Sequence, residues 1–88
     1  MRVVVVWRDN TDYARAVTTF LDDFARQTGR TLDSLDPDTP EGISFCRAYD
    51  VMAYPTVIAL SNDGQMQQTW QGSPLPTISE VSYYASQN

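Results

Sequence analysis

Cys46 carries the only thiol in the sequence, and there is no histidine to activate it or any hydroxyl. Thiol–disulfide exchange needs an attacking thiolate and, as a rule, a second thiol to release the mixed disulfide. One cysteine therefore supports neither an intrachain disulfide nor a Cys-x-x-Cys couple. Within "ISFCRAY", Cys46 is expected to fill the core as a small apolar group, with surface exposure and a reactive thiol as the other readings. Arg47 beside it would favour a thiolate on the surface, although successive helical positions point in different directions. The carboxylates include two close pairs, Asp9 with Asp12 and Asp36 with Asp38. The first pair suits the positive end of a helix and the second a turn ahead of Pro40. A hard cation needs several converging oxygens and a closed zinc site draws on cysteine and histidine, so no metal is expected. Gly29, Gly42, Gly64 and Gly72 assemble no nucleotide-binding signature, and no cofactor is expected.

Contact chemistry is better represented. Trp7, Tyr13 and Tyr54 combine broad apolar rings with polar edges, which suits an interface as well as a core. Six arginines and no lysine oppose eleven acidic residues, for a net charge of -5. This balance argues against nucleic acid as a partner, since binding its backbone draws on cations; it suits a basic partner or simply solubility. The longest apolar runs, "VVVVW" and "TVIAL", are too short to cross a bilayer, and no membrane partner is expected. "MRVVVVW" lacks the separate basic region, long apolar segment and cleavage site of a secretory signal, so a cytoplasmic location is expected. The 88 residues suffice for one domain, 1–88, with one modest core.

The elements that position these residues follow from pattern. "VVVV" at 3–6 reads as a central strand buried on both faces. Asp9, Asn10 or Thr11 is a candidate cap for the next helix, where Tyr13, Val17, Phe20, Leu21 and Phe24 share a face and Gly29 is a left-handed stop. "TLDSL" offers a weak strand. Thr39 and Pro40 then start a short helix with Ile43, Cys46 and Tyr49 at three-residue intervals, and Asp50 stands at its exit. "TVIAL" at 56–60 is a third strand, "NDG" at 62–64 a tight turn, and "QMQQTWQ" a fourth strand with Met66, Gln68 and Trp70 on one face. Thr77 and Glu80 have capping-box spacing before a last helix packed through Ile78, Val81 and Ala85. The order βαβαββα combines a parallel, right-handed crossover with an antiparallel hairpin. The fold class is therefore α/β, a four-stranded mixed sheet with helices on both faces.

In this order the chain resembles the thioredoxin-like family, in the short form that begins at the first strand of the glutaredoxin-like core. "VVVVW" leads into the first helix, "FLDDFA" sits where the family often has a similar helix end, and "YDVMAYPTVIALSNDGQMQQTWQG" looks like its helix, proline-strand and hairpin segment. The resemblance covers nearly the whole chain. It implies strand order second, first, third, fourth, with the first and last helices on one face opposite the second. It also implies that Pro55 is the family's cis-proline, facing the active-site turn, and that Tyr54 is the residue whose backbone can pair with an extended substrate.

Anchoring "FLDDFA" on its family counterpart lays Thr11, Asp12, Tyr13 and Ala14 over the Cys-x-x-Cys turn. Thr11 then replaces the nucleophile, Ala14 the resolving cysteine, and Val5 an acid that redox members often bury. The resemblance thus implies a non-catalytic protein- or peptide-interaction module, with Thr11, Tyr13, Tyr54 and Pro55 facing an extended peptide or protein partner and no general disulfide reductase activity. Two alternatives stay open. One is a divergent thiol-redox protein using Cys46 or a partner's cysteine; the other is a structural oligomer subunit assembled through an edge strand or aromatic patch.

Overall fold

Consecutive valines put β1 (Arg2–Val6) at the centre of the molecule, with Val3 to Val6 all buried. The computed structural model describes residues 1–86. β1 lies between β2 (Asp33–Leu35), its parallel neighbour, and β3 (Thr56–Leu60), its antiparallel one; β4 (Met66–Gln71) completes the order β2-β1-β3-β4. A strand flanked on both sides and covered on both faces has no polar side to present, which is why β1 and β3 read as unbroken apolar runs.

Alternation sorts those residues between two cores. Val3, Val5, Val57 and Ala59 meet Val17, Phe20 and Phe24 of α1 (Ala14–Thr28) and Val81 of α3 (Ile78–Ala85). Val4, Val6, Ile58 and Leu60 lie on the other face with Val51, against Phe45 and Cys46 of α2 (Pro40–Ala48) and Tyr49, its C-cap residue. Cys46 is thus a half-buried packing residue. Phe24 is wholly buried, and truncating such a side chain to alanine costs about 3–5 kcal/mol.

Several local signals act as their chemistry dictates. Gly29 takes φ 73° and donates its N–H to the Ala25 carbonyl at 2.9 Å, closing α1. Thr39 Oγ1 accepts the Gly42 N–H at 3.0 Å ahead of Pro40 in the first turn of α2. Thr77 and Glu80 form a reciprocal capping box on α3. Asp50 leaves α2 at φ 55°. The Tyr54–Pro55 and Ser73–Pro74 peptides are cis.

Two expectations are corrected, and one apolar residue of α2 turns away from the core. None of Asp9, Asn10 and Thr11 caps α1; Tyr13 is its N-cap residue and makes no side-chain cap bond. Asn10 sits at φ 60° and the Thr11 hydroxyl donates to the Arg8 carbonyl at 2.9 Å, so the segment folds back on β1 before the helix starts. Ile43 is 47% exposed and lies outside the core. Each three-residue step falls about 60° short of a helical turn, so Ile43, Cys46 and Tyr49 cannot all share the inward face. Met66 lies on the opposite face from Gln68 and Trp70: Ala59 pairs with Gln68 but Leu60 with Met66, and the irregularity between them reverses the alternation.

Candidate functional site

Arg8, immediately beyond β1, is where three of the four expected site residues converge. Its carbonyl accepts the Thr11 hydroxyl at 2.9 Å, and its N–H donates to Tyr13 Oη at 3.0 Å. Its guanidinium lies over the Tyr54 ring, 4.6 Å from the centroid, in cation–π geometry. The same guanidinium grips Asp38 with two bonds, Nε to Oδ2 at 2.9 Å and Nη2 to Oδ1 at 3.0 Å. Thr11, Tyr13 and Tyr54 are therefore gathered around one residue. Tyr13 leans on the core under α1 and α3, whereas Tyr54 leans on the core under α2. Arg8 joins the two at the end of the sheet.

Asp38 holds the Arg8 pKa above its ordinary value, chiefly through the side-chain hydrogen bond, and Arg8 holds the Asp38 carboxyl below the usual carboxylate range for the same reason. The Arg8 and Asp38 side chains remain 41% and 64% exposed, so water screens the pair and its main effect is orientation. Burial, then the hydrogen bond with Cys46, raises the Tyr54 phenol above its ordinary value. Tyr54 Oη lies 4.0 Å from Cys46 Sγ. A phenol shifted upward stays protonated at neutral pH, a donor and a contact surface with no basic character.

Around Tyr54 the backbone divides into bound and open parts. Pro55 is wholly buried and its carbonyl accepts the Gly72 N–H at 2.8 Å. Thr56 Oγ1 donates to the Ala53 carbonyl at 2.6 Å, and Gln71 bridges the approach, accepting from Met52 N–H and donating to the Asp50 carbonyl. The N–H and C=O of Tyr54 itself meet no hydrogen-bond partner among the described residues. At the head of α1, the Ala14 N–H donates to the Thr11 carbonyl at 3.2 Å, and Val5 is wholly buried opposite Val57. No thiol lies in that turn. Among the described residues no group of three or more acidic, cysteine or histidine side chains could hold a metal, and no helix is long and apolar enough to cross a membrane.

Sequence reading missed Arg8 and Asp38. A signal was present: parallel β1 and β2 end side by side, so opposite charges just past each, in "WRDN" and "DPDTP", are brought together. It also set Cys46 apart from the site, although its sulfur lies beside Tyr54.

No protein-family model and no curated protein matches the chain. Solved structures do. Thioredoxin 1 from the thermophilic eubacterium Thermosipho africanus superposes with a TM-score of 0.66 at 20% identity, over 97% of this chain and 90% of that one. A malarial protein gives 0.66 at 18%, over 94% and 90%, and a thioredoxin from Thermus thermophilus gives 0.60 at 22%, over 94% and 69%. The β2-β1-β3-β4 sheet, the division of helices between its faces and these superpositions together establish that the chain has a thioredoxin-like fold.

Proposed function

We propose that the chain is a non-catalytic thioredoxin-like module that binds an extended peptide or protein segment at the Tyr54–Pro55 junction. The observation that carries this reading is the pairing of an open main chain at Tyr54 with a ring held in place by Arg8. An extended segment could take register from the Tyr54 N–H and C=O and side-chain contact from Tyr54 and the Arg8–Asp38 pair. Thr11 and Ala14 supply no thiol for exchange, and the Thr11 hydroxyl is already engaged by the Arg8 carbonyl.

The test is selection of linear peptides against the purified chain, followed by amide-resolved NMR titration of the binders. Perturbation is expected at Arg8, Tyr13, Tyr54 and Thr56, and Tyr54→Ala should weaken binding about tenfold or more without unfolding the domain. Binders that leave all four positions unshifted would overturn the reading. One observation favours a second reading: Cys46, half-buried and beside Tyr54, lies close to the same surface. Catalytic turnover of a protein disulfide that disappears in Cys46→Ser would put a thiol-redox function in place of the binding module.

A further inference from the structure

We infer that the segment bound at Tyr54 is basic, with a lysine or arginine side chain seated at the 36–38 turn, and that Asp36 is the residue that selects it. The inference rests on the reading of Tyr54 as a peptide site and names the chemistry of its ligand. Strand pairing collects the relevant loops at one end of the sheet. β1 and β2 finish together at Val6 and Leu35, β3 starts opposite Val6 at Thr56, and β4 finishes opposite Thr56 at Gln71. Arg8 then fixes the turn beside Tyr54. One guanidinium separates them, 4.6 Å from the centre of the Tyr54 ring and at 2.9 and 3.0 Å from the two Asp38 oxygens.

Those contacts decide the sign of the site. Arg8 has its edge on Asp38 and its plane on Tyr54, so its charge is already matched and it attracts no anionic ligand. Arg15, in the first turn of α1, precedes buried Val17 by two residues, about 200° around the helix, and points away from the sheet. Asp36 in the turn and Glu41 at the head of α2 are both exposed, and neither forms an ion pair among the described residues. Asp9 and Asp12, on the segment after β1, are alike in both respects. An acidic segment would meet these carboxylates with no cation to receive it, whereas a basic one is complementary to them.

Asp36 is the acceptor that the turn holds ready. Its Oδ1 accepts the Asp38 N–H at 2.8 Å, and its carbonyl accepts the Thr39 N–H at 3.3 Å and the Thr39 hydroxyl at 2.8 Å. Pro37, between the two aspartates, is buried. The carboxylate is therefore oriented before any ligand arrives, and its Oδ2 meets no donor among the described residues. Main-chain pairing at Tyr54 is blind to side chains, so it supplies register and affinity while the charge at the turn supplies the choice between segments.

The probes are linear peptides selected against the full chain from a random library, together with analogues in which citrulline replaces arginine and acetyl-lysine replaces lysine, removing charge at nearly constant shape. Peptides that shift the Tyr54 amide should be enriched about twofold or more in lysine and arginine over the library, and their uncharged analogues should bind about tenfold more weakly. Asp36→Asn keeps the acceptor for the Asp38 N–H. It should weaken the charged peptides about threefold, the scale of one exposed ion pair, and leave the uncharged analogues unaffected. Asp22→Asn makes the same change of net charge at an exposed position about 12 Å along α1 from Ala14, beyond the screening length, and should alter neither set. Peptides that map to Tyr54 without a surplus of cations, or that bind equally well once uncharged, would overturn the inference and leave the peptide site standing. Equal weakening by Asp36→Asn and Asp22→Asn would also overturn it, since the attraction would then be to net charge alone. Peptides that bind without shifting Arg8, Tyr13, Tyr54 or Thr56 would remove the site and the inference together.

Discussion

Gly42→Ala exchanges a poor helix former for the best one in the first turn of α2, yet it should destabilise the protein. A Cβ at Gly42 would stand 1.9 Å from the Asp36 carbonyl oxygen and 2.8 Å from both Asp36 C and Pro37 Cα, where ordinary contact begins at 3.4 Å. The shortfall of about 1.5 Å is against backbone, which cannot turn aside as a side chain can. Gain in helix propensity is about 1 kcal/mol. Overpacking costs about 1–3 kcal/mol, and a backbone obstacle places this site at the upper end. The balance is a loss of about 2 kcal/mol, which at an m-value of about 1–2 kcal/mol per molar lowers the urea midpoint by about 1–2 M. Gly29→Ala is the control: its φ of 73° disfavours alanine but nothing lies within 4 Å, so about 1 kcal/mol should be lost through backbone strain alone. Because Asp38 follows the displaced segment, Gly42→Ala should also shift the NMR signals of Arg8 and Tyr54, which Gly29→Ala should leave in place. A Gly42→Ala variant as stable as the parent would refute the close approach of α2 to the 36–38 turn.

Two further outcomes are accessible by the same methods. The Asp38 carboxyl is held low in the folded state, so the Arg8–Asp38 pair is fully present above the ordinary carboxylate pKa of about 4 and is lost as pH falls through the lower folded value; the Tyr54 ring signals should move over that acid window and, in Asp38→Asn, should sit near their acid positions already at neutral pH, whereas an unchanged titration in the variant would exclude Asp38 as the cause. Thr69 Oγ1 is buried without a hydrogen-bond partner among the described residues, so Thr69→Val, which keeps the shape and removes the hydroxyl, should be neutral or stabilising by about 1 kcal/mol in urea unfolding; a clear loss would mean that the hydroxyl has a partner.

The legible parts of the fold were those in which neighbouring residues decide the outcome. Thr77 with Glu80, Thr39 with Pro40, and Gly29 after α1 each place a helix end through contacts within four residues. The valines of β1 and the run from Thr56 to Leu60 exposed their central positions by lacking a polar face. Less was visible where the backbone leaves a regular element or a distant segment intervenes. The fold-back of Thr11 on Arg8 removed the threonine from the helix end it would otherwise cap. The bulge at Met66 lies in an exposed strand whose glutamines give little indication of which face is inward. At the candidate site, Thr11, Tyr13, Tyr54 and Pro55 were named through resemblance, but Arg8 escaped notice because its meaning rests on Asp38, thirty residues away. Cys46 was placed on the right helix, yet its nearness to Tyr54 depends on how the chain after α2 returns across that helix.

The side chain of Gln71 does work normally done by a peptide group. Its Oε1 accepts the Met52 N–H at 2.9 Å and its Nε2 donates to the Asp50 carbonyl at 3.3 Å, the same donor and acceptor that one residue of an adjoining strand would offer. The loop leading to Tyr54 is thereby held as though by a neighbour it does not have. A carboxylate has the same outline but would set a second negative oxygen against the Asp50 carbonyl, turning an attraction into a repulsion. The chemical identity of one atom, nitrogen at the tip of Gln71, thus keeps the path into Tyr54 aligned with β4, and hydrolysis of that amide to glutamate would slacken this path while barely altering the molecule's shape.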